Sequence, residues 1–150
     1  MQEAIRLSLE MMRAGKGGPF GAVVVHDGEI IGRGWNQVTS VNDPTAHAEI
    51  VAIREACRKT NSFLIEGAEL YASCEPCPMC LSAAYWARIN RIYYAASRRD
   101  AAEAGFLDEM LYEELTREAS QRRIPCISLG REQALTAFRE WKQKSDRIPY

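Results

Sequence analysis

Apolar positions recur at helical spacing near the start of the chain. Ile5, Leu9 and Met12 stand among polar residues, which predicts a short helix over residues 2–14. Gly15, Gly17, Gly18 and Pro19 stop it. The pattern then reads as two strands, residues 20–25 and 29–35, joined by Asp27-Gly28, a two-residue hairpin signal. Residues 36–45 are polar and carry Asn42-Asp43-Pro44. Asp43 can cap a helix and Pro44 suits its first position, so a helix is expected from about Thr45 to about Lys59.

Residues 68–73 read as a third strand. Pro76 opens a second central helix, expected from Cys77 to about Arg88, and residues 91–96 form a fourth strand. Residues 100–121 look helical, with interruptions at Gly105 and Phe106. Residues 124–129 predict a fifth strand and 132–144 a closing helix. Strands separated by helices imply a sheet covered on both faces. The helical stretch between strands four and five is long enough for a parallel crossover. The expected architecture is α/β: a single domain over residues 1–150, folded as a three-layer α/β/α sandwich around a five-stranded mixed sheet.

Composition narrows the class. Of 150 residues, 47% are hydrophobic and 26% charged, enough for a core beneath an ordinary soluble surface. The formal net charge of -1 favours a small substrate over a polynucleotide, although Arg88, Arg91, Arg98 and Arg99 could gather into a local basic patch. No apolar run is long enough to span a bilayer, and the N-terminal segment lacks a signal-peptide layout. The five cysteines, Cys57, Cys74, Cys77, Cys80 and Cys126, are odd in number and clustered. That pattern fits metal chemistry in a reducing compartment better than a disulfide framework, so a cytoplasmic location is expected.

Two segments carry the chemistry: His47-Ala48-Glu49 and Pro76-Cys77-Pro78-Met79-Cys80. Alone, a helical histidine is most often structural, and a Cys-x-x-Cys is a structural zinc half-site or a redox pair as often as a catalytic set. Together they say more. Cys77 and Cys80 share one helix face, and one histidine with two thiolates leaves the fourth position of a tetrahedral zinc open to water. Glu49 is the discriminating residue. A structural zinc has no use for a carboxylate two residues from a ligand, whereas a hydrolytic one needs a group to take and return the water's proton. Both segments fall at helix N-termini, where free N–H groups favour thiolates. Cys74 leaves two readings open: a fourth ligand that would close the metal to water, or a small buried neighbour of the site.

At these residues the chain resembles the cytidine-deaminase-like superfamily, and within it the bacterial guanine deaminase branch. The His-Ala-Glu and Pro-Cys blocks are shared with deaminases acting on tRNA adenosine. Gly17-Gly18-Pro19-Phe20-Gly21-Ala22, Tyr85-Trp86-Ala87-Arg88, the stretch from Asp100 to Asp108 and the terminal tyrosine resemble the guanine branch. The resemblance implies that His47, Cys77 and Cys80 hold zinc and that Glu49 shuttles protons. It also implies that Asn36 hydrogen-bonds the base and that Asp108 holds the purine and assists a second proton transfer. Phe20 and Trp86 would then wall the pocket, Tyr150 would close it, and the protein would be a homodimer. Position 107 is leucine, which leaves Asp108 as the carboxylate there. The implied reaction is hydrolysis of guanine to xanthine and ammonia. Deamination of another nucleobase, a nucleoside, an amino-triazine or tRNA adenosine, and a non-catalytic zinc module, are the alternatives.

Overall fold

The structure, a computed structural model, describes residues 1–106 and 108–149. The chain divides into two compact units, Met1–Leu111 and Tyr112–Tyr150. The first contains α1 (Gln2–Arg13), β1 (Gly21–His26), β2 (Glu29–Trp35), the single turn α2 (Val38–Val41), α3 (Ala48–Thr60), β3 (Glu69–Cys74), α4 (Pro78–Trp86), β4 (Arg91–Ala96) and α5 (Arg98–Glu103). The helix α6 (Glu109–Thr116) crosses the boundary, and α7 (Arg131–Gln143) lies in the second unit. Among the described residues no helix is long and apolar enough to cross a membrane.

The hairpin forms where Asp27-Gly28 predicts it. Both residues adopt positive φ, 50° and 79°, as a two-residue turn matched to strand twist demands. The sheet order is β2-β1-β3-β4, with β1 antiparallel to both its neighbours and β3 parallel to β4. Alternation along β1 sends Ala22 and Val24 to one face, where they pack with Ala52, Ile53, Leu70 and Ala84 from α3, β3 and α4. On β2, Gly32 and Gly34 permit α3 to lie against the strand. A Cβ at these positions would stand 2.2 Å from the Ala52 carbonyl oxygen and 2.0 Å from that of Ala48. The helix α1 packs on β1, β2 and β3, with Ala4 and Leu7 buried.

Three expectations change. The sheet has four strands, not five. Residues 124–129 join no ladder, and Ile127 and Leu129 are 86% and 95% exposed. The parallel pair expected between strands four and five is therefore absent among the described residues: apolar, β-prone sequence gives a tendency to extend, and a strand forms only where a partner completes its ladder. The helix α3 starts at Ala48 rather than near Thr45. The Asp43 carboxylate accepts from the Thr45 N–H at 2.8 Å and the Thr45 hydroxyl at 2.7 Å, closing a side-chain turn that delays the helix. Similarly, α4 starts at Pro78 and stops at Trp86, just before Arg88 turns left-handed at φ 58°.

Candidate active site

The two delayed helix starts place the metal-binding side chains. His47 is the N-cap of α3 and Cys77 the N-cap of α4, both on extended backbone, and neither spends its side chain on capping. Cys80 follows one turn into α4, on the same face as Cys77. Each thiol sulfur lies 3.6 Å from His47 Nδ1, and the three ligand atoms fall within 4.8 Å of one another. A zinc ion with bonds of about 2.3 Å to sulfur and about 2.0 Å to nitrogen, arranged tetrahedrally, separates those atoms by about 3.6 Å. The donor set and its spacing therefore fit zinc. Cys74 is not in this cluster; its Sγ donates to the Ser97 carbonyl at 3.6 Å.

Glu49, 7% exposed, brings its carboxylate to 3.4 Å from Cys80 Sγ. Burial pushes its carboxyl above the ordinary range, which suits a group that must hold a proton and release it. The Cys77 thiol is lowered to about 4, chiefly by the hydrogen bond it receives from Cys80 and then by His47, and so stands as a thiolate. That thiolate pushes Cys80 upward and raises His47. A cation placed among the three relieves the conflict by taking both sulfurs as thiolates. Cys74 moves the other way: burial raises it to about 11, so it is a neutral thiol at physiological pH.

These groups open into one cavity of about 240 Å³, entirely within the first unit. Drug-sized ligands occupy about 300–1,000 Å³, so this one suits a smaller molecule. Of the residues singled out from the sequence, Phe20, Asn36, His47, Glu49, Cys77 and Asp108 all line it, and the fully buried Cys80 completes the metal set. Burial raises the Asp108 carboxyl above its ordinary range. Trp86 does not reach the cavity. It is 67% exposed, six residues beyond Cys80, and at 1.5 Å per residue that carries it about 9 Å down the helix axis. Tyr150 lies outside the described residues.

Phe106 is a cavity residue that the sequence did not single out. Its ring meets Phe20 edge-on, centroids 4.7 Å apart and planes at 82°. Its signals are the break in helix at Gly105-Phe106 and its place in the Asp100–Asp108 stretch, neither of which assigns the ring a role. Glu75 is a second omission: it lines the cavity and accepts from the Arg98 N–H at 3.0 Å, tying the metal loop to the start of α5.

With this geometry described, comparison with known proteins is specific. Residues 1–96 match the family described as the cytidine and deoxycytidylate deaminase zinc-binding region. The guanine deaminase of Bacillus subtilis (strain 168) is 47% identical over 150 residues, covering 100% of this chain and 96% of that protein. An X-ray structure of guanine deaminase from Bacillus subtilis superposes with a TM-score of 0.96 at 48% identity, over 99% of this chain and 95% of that one. A tRNA-specific adenosine deaminase from Aquifex aeolicus is 49% identical over 78 residues, 52% of each protein.

Proposed function

The chain belongs to the cytidine and deoxycytidylate deaminase zinc-binding family, and from that premise we propose that it hydrolyses guanine to xanthine and ammonia. The observation that carries the reading is the meeting of a zinc-competent His47–Cys77–Cys80 set with the buried carboxyl group of Glu49 in one small cavity. The full-length likeness to a guanine deaminase supports this substrate, whereas the tRNA-specific relative matches over half the chain. Bound at the three ligands, zinc would supply a Lewis acid that activates water.

The chain's own residues account for the rest. Glu49 takes the proton that water loses as its oxygen bonds to C2 of guanine, and delivers it to a ring nitrogen. The hydroxyl now on C2 gives up the second proton, which goes to the exocyclic amine; the C2–N bond breaks, ammonia leaves, and the C2–O bond becomes the carbonyl of xanthine. Asp108 holds ring N–H groups and assists that second transfer. Phe20, braced by Phe106, lays an apolar wall against a flat ring. Asn36 binds the base edge. The same reading gives pocket closure to Tyr150, from its own chain or from a second copy, and a wall role to Trp86 only within an assembly, since the single chain leaves it outside.

The 150 residues act in this proposal as one deaminase domain that works as a cytoplasmic homodimer. Support for the dimer comes from the apolar side chains that residues 112–149 leave exposed and from the open edge of β4. Ammonia release across guanine, adenine, cytosine, guanosine and a tRNA anticodon stem-loop tests the substrate. Guanine is expected to be the preferred substrate; turnover confined to any other member overturns the assignment.

A further inference from the structure

Phe106 owes its place to the way α5 ends. Ala104 caps the helix, and Gly105 turns left-handed at φ +93°, which glycine adopts without strain. The Gly105 N–H donates to the Ala102 carbonyl at 3.0 Å, and the Phe106 N–H to the Ala101 carbonyl at 2.9 Å. This pair of bonds is the Schellman ending, which turns the following residue back onto the last turn of the helix. Here it carries the Phe106 ring onto Phe20.

A second cavity, of about 340 Å³, adjoins the first and also lies entirely within the first unit. Phe20, Cys74 and Phe106 line both, so they form the partition between them. Phe20 is fixed: its N–H donates to the Gly18 carbonyl and its own carbonyl accepts from the Asn36 N–H, each at 2.9 Å, and its side chain packs on the core. Cys74 is the buried last residue of β3. Phe106 is half-buried and stands on a turn, so it is the part of the partition that can be cut back without opening the core. Beyond it the walls are small or apolar: Ala95, Ala96, Ala101 and Ala104, with Ile5 and Pro19. The polar groups there are already engaged. Ser73 Oγ accepts from the Gly21 N–H, Ser8 Oγ donates to the Ile5 carbonyl, and the Asp100 carboxylate accepts from Ser97. What the second cavity offers is room for apolar matter.

We propose that Phe106 sets the size limit of the substrate: its ring closes the reaction cavity at about 240 Å³ and keeps the base out of the space beyond. The inference rests on the guanine reading above and adds to it the side chain that confines the enzyme to a bare base. Removing the ring joins the two cavities, and the joined space takes a guanine that carries an apolar arm. C2 and the imidazole ring lie at opposite ends of guanine, so with C2 at the metal set an arm on N7, C8 or N9 leads away from the metal.

The test uses zinc-loaded, full-length protein and four bases: guanine and its 7-, 8- and 9-benzyl derivatives. In the wild type, kcat/KM for at least one benzyl base is expected to fall about 10-fold or more below that for guanine. Phe106→Ala should cost guanine about 10-fold or less, the worth of an aromatic contact, and raise that benzyl base about 10-fold over wild type. The position that gains identifies the edge of the purine that faces the partition. Ala104→Phe, added to Phe106→Ala, refills the second cavity from its far wall; it should cancel the gain and leave guanine turnover as in the single variant. Damage to the fold would lower all four bases together, so it cannot produce this split. Phe106→Leu keeps an apolar side chain on the turn and should give a smaller version of the same split where Phe106→Ala does not fold. A wild type that turns over all three benzyl bases within about 10-fold of guanine overturns the proposal. So does a Phe106 variant, shown by zinc content and circular dichroism to be folded, that raises no benzyl base, and so does a gain that survives Ala104→Phe. A wild type inert on guanine refutes the substrate reading alone, and equilibrium affinities of the four bases for the zinc-loaded proteins then decide whether Phe106 sets the limit.

Discussion

Residues 1–111 and 112–150 are built from similar local signals and reach different ends. In the first unit a core forms: Leu70, Val23 and Val24 are fully buried, α3 lies on glycines of β2, and the reacting groups sit where helix starts meet strand ends, while Ile5, Leu9 and Met12 of α1 stay exposed. In the second, α7 repeats an amphipathic pattern with Phe138 and Trp141 on it, and Ile124, Ile127 and Leu129 cluster before it, yet no described residue is buried. Helices follow from periodicity in both. Burial needs a surface to meet, and residues 112–149 meet none sufficient among themselves.

The sharpest separation of the two units is chemical. Glu49→Gln keeps shape and the three ligands but cannot shuttle a proton, so it should fold, bind zinc and lose about 10²–10⁴-fold in kcat on guanine. Steady-state kinetics with metal analysis checks this, and near-normal turnover would remove Glu49 from the proton path. Asp108→Asn should cost less, about 10²-fold, while zinc is retained. Unchanged guanine kinetics in that variant would return Asp108 to the role of a passive cavity wall.

The same contrast explains what could be read in advance. The hairpin at Asp27-Gly28, the helix and strand types of the first unit and the His47, Cys77, Cys80 and Glu49 set were legible because each depends on residues close in sequence. Helix starts were not, since the Asp43 side chain competes with the helix for the Thr45 N–H. The fifth strand failed for a larger reason. A run such as Ile124 to Leu129 announces the tendency to be a strand, and pairing is decided by what lies beside it. Trp86 lies outside the cavity of the single chain because of its position along α4: a motif match assigns a residue to a family role without saying whose cavity it faces.

If the second unit is exposed because its surface belongs to an assembly, a charge placed on it should be felt in the oligomeric state and spare the metal site. Burying a large aliphatic side chain is worth about 1.5–3 kcal/mol, so Ile127→Asp should weaken self-association by about 10–150-fold. Sedimentation measured across protein concentration reads this directly, with zinc content as the control. A variant that sediments like the wild type would show that Ile127 is not part of the contact and would leave the exposure of the second unit unexplained by dimerisation.

The smallest effect concerns how the first unit aims the loop carrying Phe106 and Asp108. The helix α5 starts with a reciprocal cap: the Asp100 N–H donates to Ser97 Oγ at 3.3 Å, and the Ser97 N–H donates to the Asp100 carboxylate at 2.7 Å. Ser97→Ala removes the first bond and should cost about 1 kcal/mol, seen as a fall in melting temperature of about 2–8 °C. The remaining half of the cap is pH-dependent. Hydrogen bonds from the Ser97 hydroxyl and N–H hold the Asp100 carboxyl below its ordinary value of 3.8. Its contribution is therefore fully present above that value and is lost as the pH falls through the depressed one. Part of the depression comes from the Ser97 hydroxyl, so the gap between wild type and Ser97→Ala should narrow in acid. Because α5 leads into Gly105 and Phe106, the variant should also raise KM for guanine while leaving zinc content unchanged. Thermal melts from neutral to acid pH, paired with KM, decide it: a gap that stays constant into acid would show that the cap acts through the hydroxyl alone, and an unchanged KM would show that α5 does not aim the pocket wall.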